Sequence, residues 1–304
     1  MGKLVFMFPG QGSQYIGMGK EFYDTMQVCR NVFDLASEAS GLDVAKLCFE
    51  ENDQINITEY TQIAMLTTEA AIYEAIKEKG ITPDVTAGLS LGEYGALIAS
   101  GVMSMKDAFT VIRKRGIYMQ NAVPTGGAMS AVLGLGADII EKICEDTEGI
   151  VSIANYNCPG QIVITGEKKA VDKAGETLKE AGAKRIVPLK VSGPFHSKML
   201  IHAGEQLGAV LKDVAIADKF IPYVANVTAD YVTDAKEVKP LLERQVASSV
   251  RWQQTIERLI SDGADTFVEI GPGRTLSGFM RKIDRNVTVY NIDKMEDFLK
   301  YVDR

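Results

Sequence analysis

The sequence predicts an α/β protein with a mostly parallel sheet and a small inserted domain of ferredoxin-like type. Three observations carry that expectation. Short runs of apolar and β-branched residues alternate with stretches of helical periodicity. Several strand-like runs end in glycine or proline, as in Phe8-Pro9-Gly10 and Ile270-Gly271-Pro272-Gly273. Between residues 127 and 192 the order changes to β-α-β-β-α-β, which is the ferredoxin-like unit. With 304 residues, 46% of them hydrophobic, the chain can bury one large core and a smaller one beside it. The expected division is therefore a discontinuous main domain, 1–126 with 193–304, interrupted by a small domain, 127–192.

Taken in order, Leu4–Phe8 is a continuous apolar run and reads as a buried parallel strand. Pro9-Gly10-Gln11-Gly12-Ser13-Gln14 follows, where glycines on both sides of Gln11 let the backbone approach a ligand or another loop. It lacks the lysine of a phosphate-binding P-loop and, alone, also describes an ordinary loop. Ile63, Leu66, Ala70 and Tyr73 recur at spacings of three and four, predicting an amphipathic helix over Thr61–Lys79 closed by Gly80. Pro83 resets the chain into the strand that begins at Val85.

That strand runs into Gly88-Leu89-Ser90-Leu91-Gly92 and then an alanine-rich helix. Glycines on either side of the serine allow strand and helix to cross closely, so Ser90 can sit on a strained turn with its hydroxyl exposed. The helix starting at Leu91 would aim free N–H groups at any oxyanion formed there. The same five residues also describe a plain strand-to-helix turn.

Ser104 is the expected N-cap of the next helix, whose stripe is Met105, Phe109, Ile112 and Met119. Arg115 falls at the edge of that stripe near Ala108 and Met119, while Arg113 and Lys114 are expected to face solvent. A partly buried guanidinium calls for an anion, either a ligand or a neighbouring carboxylate. In the small domain the expected elements are strand 129–133, helix 137–144, strands 151–155 and 161–165, helix 167–181 and strand 185–191. Ser192-Gly193-Pro194-Phe195-His196-Ser197 leads back to the main domain, placing His196 where a loop meets a helix at a domain junction. His196 reads equally as a structural histidine, and His202, inside that helix, is the weaker candidate. A strand over 220–224, helices over 237–246 and 252–260, a strand over 265–270 and a helix from Thr275 complete the alternation.

Composition excludes several functions. A net charge of −7 and the lack of basic runs argue against nucleic-acid binding. Four scattered cysteines, Cys29, Cys48, Cys144 and Cys158, and two histidines give neither a zinc pattern nor a disulfide framework, which fits a reducing cytoplasm. No apolar segment has the length of a membrane span, and Phe6 breaks the myristoylation pattern that Gly2 opens. A soluble protein without a targeting segment is expected.

Together, Phe8-Pro9-Gly10-Gln11-Gly12-Ser13-Gln14, Gly88-Leu89-Ser90-Leu91-Gly92-Glu93-Tyr94, Arg115-Gly116 with Met119-Gln120, Asn155-Tyr156-Asn157-Cys158-Pro159-Gly160-Gln161, Phe195-His196, Arg244-Gln245 and Glu269-Ile270-Gly271-Pro272-Gly273 resemble one family. It is that of the malonyl-CoA–acyl carrier protein transacylases of fatty-acid synthesis and the related acyltransferase domains of polyketide synthases. The resemblance spans nearly the whole chain and implies an α/β-hydrolase-like main domain. It implies Ser90 as nucleophile and His196 as general base and acid, with an oxyanion hole from the backbone N–H groups of Gln11 and Leu91. It implies Arg115 on the free carboxylate of the malonyl group, and Phe195, Asn155 and Asn157 as further substrate-binding residues. A backbone or side-chain carbonyl at Gln245 would orient the histidine. No metal or redox cofactor is implied. The implied partners are malonyl-CoA and an acidic acyl carrier protein, with Lys184, Arg185, Lys190, Lys198, Arg281 and Lys282 as candidates for its docking surface, and a monomer is expected. Many members carry histidine where this chain has Leu89. Phenylalanine at Phe195 goes with malonyl rather than branched acyl groups. Competing readings are a serine thioesterase, an acyltransferase loading a polyketide carrier, and a carrier-docking module without activity.

Overall fold

A computed structural model describes every residue except Met1, Ser192 and Arg304. The return to the larger unit expected from Ser192 onward thus begins outside the described residues and is followed from Gly193. In chain order the elements are β1 (Lys3–Phe8), α1 (Lys20–Thr25), α2 (Gln27–Ser40), α3 (Val44–Phe49), α4 (Thr58–Glu78), β2 (Val85–Gly88), α5 (Gly92–Ser100) and α6 (Met105–Ala122). Then come β3 (Gly127–Leu133), α7 (Ala137–Asp146), β4 (Val151–Cys158), β5 (Gln161–Glu167), α8 (Lys168–Glu180) and β6 (Arg185–Pro188). The last stretch holds α9 (Ile201–Leu211), β7 (Tyr223–Val224), β8 (Tyr231–Val232), α10 (Ala235–Gln245), α11 (Trp252–Ser261), β9 (Ala264–Ile270), α12 (Thr275–Ile283), β10 (Thr288–Ile292) and α13 (Met295–Val302).

The result is a mixed α/β fold with two separate sheets. The larger has the order β10-β9-β1-β2-β7-β8, parallel throughout except for β8. The smaller is antiparallel, in the order β4-β5-β3-β6. Strand β1 shows why it is central: Phe6 and Phe8 enter the core on one face, Val5 and Met7 the core on the other, and all four are fully buried. Period-two alternation of large apolar residues can fill both faces only if helices cover both, which the crossover helices of a parallel sheet do. A third core, around Val132, Ile140, Ile164 and Leu178, lies between the smaller sheet and α7 and α8.

Most expected elements are present, with boundaries moved by a few residues. Four expectations need correction or trimming. Helix α4 is not amphipathic but buried on nearly every face, packed by α2, α5 and α6. Its threonines allow this, because the Thr61, Thr67 and Thr68 hydroxyls donate to backbone carbonyls rather than to water. The strand expected over 220–224 keeps only Tyr223 and Val224, since Pro222 has no N–H to give the ladder, although its carbonyl accepts from Thr86. Strand β6 likewise ends at Pro188 rather than Val191. Arg113 does not face solvent freely; its guanidinium pairs with the Glu59 carboxylate at 2.9 Å and lies over the Tyr60 ring. Lys114 is exposed as expected. No helix of the described residues is long and apolar enough to cross a membrane.

Candidate active site

Strand β2 ends at Gly88 and helix α5 starts at Gly92, leaving three residues to reverse the chain. A Cβ on Gly88 would collide with the backbone carbonyl of Gly92, and one on Gly92 with that of Phe8, so both glycines are demanded by the crossing. Ser90, at the corner, has φ 56°. A non-glycine residue in the left-handed region carries strain and must be held there. Asn226 does the holding: its Oδ1 accepts from Ser90 N at 2.7 Å and its Nδ2 donates to Gly88 O at 2.6 Å.

The Ser90 hydroxyl lies 2.8 Å from His196 Nε2. On the far side of the ring, His196 Nδ1 is 2.9 Å from Gln245 O and 3.1 Å from Ser248 O. Two carbonyl oxygens can only accept, so Nδ1 carries the proton and Nε2 is left as the acceptor for the Ser90 O–H. Burial drives the imidazole pKa down to about 4, the Arg115 charge pushes the same way, and the two carbonyls oppose both. The ring is neutral at physiological pH. Gln245 thus meets the histidine through its backbone carbonyl. Its side chain does something else: Oε1 accepts from Arg115 at 3.0 Å, while Nε2 donates to Ser90 O at 2.9 Å and to Glu93 Oε2 at 2.6 Å.

Arg115 is fully buried and stands behind the serine. Its Nη2 donates to Ser90 Oγ at 3.1 Å and its Nη1 to Gln62 Oε1 at 2.8 Å, while Nε has no hydrogen-bond partner. All three bonded acceptors are neutral. The carboxylate whose charge acts on it is Glu93, one glutamine away, and that carboxyl is raised to about 7 by burial against the pull of Gln245, Asn226 and Arg115. A cation buried so deep, with neutral partners and an idle donor, has capacity for an anion.

In front of Ser90 and His196 opens a cavity of about 670 Å³, between the carboxyl ends of β1 and β2 and the smaller sheet. Its lining includes Gln11 and Leu91, the apolar side chains of Phe195 and Met119, and Asn155 and Asn157 from β4. The Gly10 side of the Gln11 loop packs on Leu89, where a Cβ would lie 2.7 Å from the Leu89 carbonyl. Among the described residues, the backbone N–H groups of Gln11 and Leu91 form no backbone hydrogen bond, whereas that of Ser90 is taken by Asn226. Of the six basic candidates, Lys190 reaches the cavity lining and Lys282 donates to Gln161 Oε1 at its edge; the other four are exposed. His202 is exposed on α9, paired with Glu205 away from the cavity. The described cysteines are all free and buried, and no group of three His, Cys, Asp or Glu side chains among the described residues could hold a metal ion.

The fold therefore gathers Ser90, His196, Gln245, Arg115, Gln11, Leu91, Phe195, Asn155 and Asn157 around one cavity or directly behind its wall. Gln62, Glu93, Asn226 and Ser248 join them without having been singled out for a role in the sequence. Glu93 lies within the serine motif, and its position just inside α5 is its one signal. Asn226 and Ser248 have no local pattern; only the fold brings them near.

Comparison with known proteins follows the same lines. A model of the acyl transferase domain matches residues 5–291. The chain is 46% identical over 301 residues to the malonyl CoA-acyl carrier protein transacylase of Bacillus subtilis (strain 168), covering 97% of this chain and 95% of that protein. It is 40% identical to the protein of the same name from Staphylococcus aureus (strain MW2), covering 98% and 97%. Among solved structures, the MCAT of Streptococcus pneumoniae superposes with a TM-score of 0.95 at 44% identity, over 99% of both chains. The structure of a type II PKS acyl-carrier protein in complex with its malonyl-transacylase matches with a TM-score of 0.95 at 36% identity, over 99% of both.

Proposed function

The chain belongs to the acyl transferase domain family, among relatives that are malonyl CoA-acyl carrier protein transacylases, and from that premise we propose how it transfers malonyl from malonyl-CoA to an acyl carrier protein. The transfer runs through a malonyl ester on Ser90. Its oxygen attacks the thioester carbonyl carbon while His196 Nε2 takes the hydroxyl proton. The negative charge that develops on the carbonyl oxygen falls to the N–H groups of Gln11 and Leu91. Collapse breaks the C–S bond, and the departing CoA thiolate receives the proton from Nε2. The carrier's phosphopantetheine thiol then repeats the sequence in reverse, giving its proton to Nε2 and attacking the ester, and Ser90 recovers its hydroxyl hydrogen.

One observation carries this reading: the same Ser90 oxygen is 2.8 Å from a neutral imidazole nitrogen and 3.1 Å from a buried guanidinium nitrogen. In a malonyl ester the free carboxylate is one methylene beyond the ester carbonyl. A cation adjacent to the serine oxygen is therefore placed for that carboxylate, and the Arg115–Ser90 bond is exchanged for a charged one. Phe195 bounds the acyl pocket against branched groups, and Asn155 and Asn157 offer amide contacts to the pantetheine arm. The orienting groups on His196 are the backbone carbonyls of Gln245 and Ser248, with no carboxylate in the position an aspartate takes in a Ser-His-Asp triad.

The larger sheet with its serine turn is read as α/β-hydrolase-like and the 127–192 segment as a ferredoxin-like insertion, the remainder forming a discontinuous main domain. Free thiols throughout fit a cytoplasmic protein, and we read the chain as a monomer requiring no metal or redox cofactor. Initial rates with malonyl-CoA varied at several fixed concentrations of holo-acyl carrier protein test the two-step course. Parallel double-reciprocal lines are expected; intersecting lines would mean direct transfer without the serine ester, and release of free malonate at the rate of transfer would mean a hydrolase.

A further inference from the structure

Asn226 lies just beyond the two-residue strand β7, 136 residues from Ser90 in sequence, and is 1% exposed. Every polar group it owns is engaged. Its side chain closes both backbone ends of the serine turn, accepting from Ser90 N and donating to Gly88 O. Its N–H donates to Glu93 Oε2 at 3.3 Å, on the first turn of α5. Its carbonyl accepts from Arg251 N at 3.0 Å. The last contact reaches the other half of the site: Arg251 follows Val250, whose N–H and carbonyl pair with Ala154 and Tyr156, and the same segment carries the Ser248 carbonyl that orients His196.

We propose that Asn226 is a positioning residue for the acyl transfer, fixing the Ser90 turn and the His196-orienting segment in one register. The inference rests on the reading of Ser90 as nucleophile. Two physical consequences follow. With φ 56° at Ser90, the turn holds a conformation that serine rarely adopts, and the bidentate Asn226 amide offsets that strain together with Gln245 Nε2, which donates to Ser90 O. Because Asn226 occupies the Ser90 N–H, that donor is withdrawn from the oxyanion, and the hole is left to Leu91 and Gln11. Loss of the amide frees the turn to relax, lengthens the Ser90–His196 contact and offers a wrongly placed N–H to the substrate. Since Asn226 touches neither cavity nor acyl group, substrate binding should be spared.

The test uses the full-length protein with Asn226→Ala and Asn226→Asp. Asp keeps the acceptor for Ser90 N and turns the donor toward Gly88 O into an acceptor, so it removes half of the clamp. Two rates are read: steady-state transfer from malonyl-CoA to holo-carrier, and labelling of Ser90 by a small neutral sulfonyl fluoride, which requires the serine–histidine pair but no malonyl recognition. Thermal unfolding monitors the fold. Asn226→Ala should lower kcat and the labelling rate at least 30-fold with KM for malonyl-CoA within about twofold, and Asn226→Asp, which opposes an acceptor to Gly88 O, should lower both rates as well. If the alanine variant does not fold, the aspartate variant carries the test alone, with at least a threefold loss in both rates required. Folded variants that label and turn over as the parent does, or that lose activity through KM, overturn the proposal. A parent that labels at Ser90 yet transfers no malonyl would instead sink the functional reading while leaving the labelling comparison to judge Asn226.

Discussion

Removing the Arg115 side chain should abolish the preference for an acid-bearing acyl group while leaving the serine–histidine pair able to react. The guanidinium donates to Gln62, Ser90 and Gln245, all neutral, and holds an idle Nε–H. A malonyl carboxylate would receive two charge-assisted hydrogen bonds, each about 1.5–3 kcal/mol. Even the lower end sums to roughly 3 kcal/mol, or about a 100-fold loss of kcat/KM for malonyl-CoA in Arg115→Ala. Acetyl-CoA has no carboxylate, so its loading should change by no more than a few-fold, and the malonyl-to-acetyl ratio should drop by about two orders of magnitude. Stability will fall too, because the Gln62 and Gln245 oxygens lose their donor, at roughly 1–3 kcal/mol for each one left unsatisfied. Arg115→Lys separates charge from geometry, keeping the cation without the fork, and should be intermediate. The assay is single-turnover loading of Ser90 from each thioester, read by intact-protein mass, with thermal unfolding alongside. Equal losses with malonyl and acetyl would refute the assignment of Arg115 to the carboxylate.

Further outcomes are expected. His196 is depressed from 6.5 to about 4, so the acid limb of kcat/KM for loading should lie near pH 4 rather than 6.5, and Arg115→Ala should move it upward by removing the charge that adds to the effect of burial. The same depression makes its contribution to stability present above about pH 6.5 and lost as pH falls through about 4. Glu93 is raised to about 7, the opposite sign: its contribution is present at acid pH and lost as pH rises through 7, so Glu93→Gln should flatten the fall in melting temperature between pH 5 and 8, with the buried Glu69 contributing the same slope to both proteins. Gly92→Ala should prevent folding or lower melting temperature severely, because its methyl would occupy the place of the Phe8 carbonyl; a variant as stable as the parent would contradict the crossing geometry. Phe195→Ser should raise loading from methylmalonyl-CoA relative to malonyl-CoA, measured as competing adduct masses, by opening the cavity wall.

What could be read from sequence was what local chemistry dictates. The Ser90 turn is legible because two glycines and a following helix are needed in a fixed order, and the sterics at Gly88 and Gly92 bear that out. Ser104 caps α6 through Asp107 N as its residue type suggests. Helices α1 to α3, strands β8 and β10 and helix α13 lie outside the elements expected from sequence, although Cys29, Val32, Phe33 and Ala36 do hold the helical spacing that marks α2. The all-round burial of α4 was not legible, since threonines bonded to backbone carbonyls count as polar in a periodicity. Arg115 showed its oddity in sequence but not its depth: the residues that hold it, Gln62 and Gln245, come from elements 53 and 130 residues away. Asn226 and Ser248 act through one amide and one carbonyl set by tertiary structure, for which no spacing rule exists.

The most direct test of the central claim is the intact mass of the protein after mixing with malonyl-CoA, before and after addition of holo-acyl carrier protein, beside Ser90→Ala. The account predicts one malonyl adduct on the parent, none on the variant, and transfer of that adduct to the carrier much faster than its loss to water. An adduct that persists in Ser90→Ala, or one that water discharges as fast as the carrier does, would contradict it.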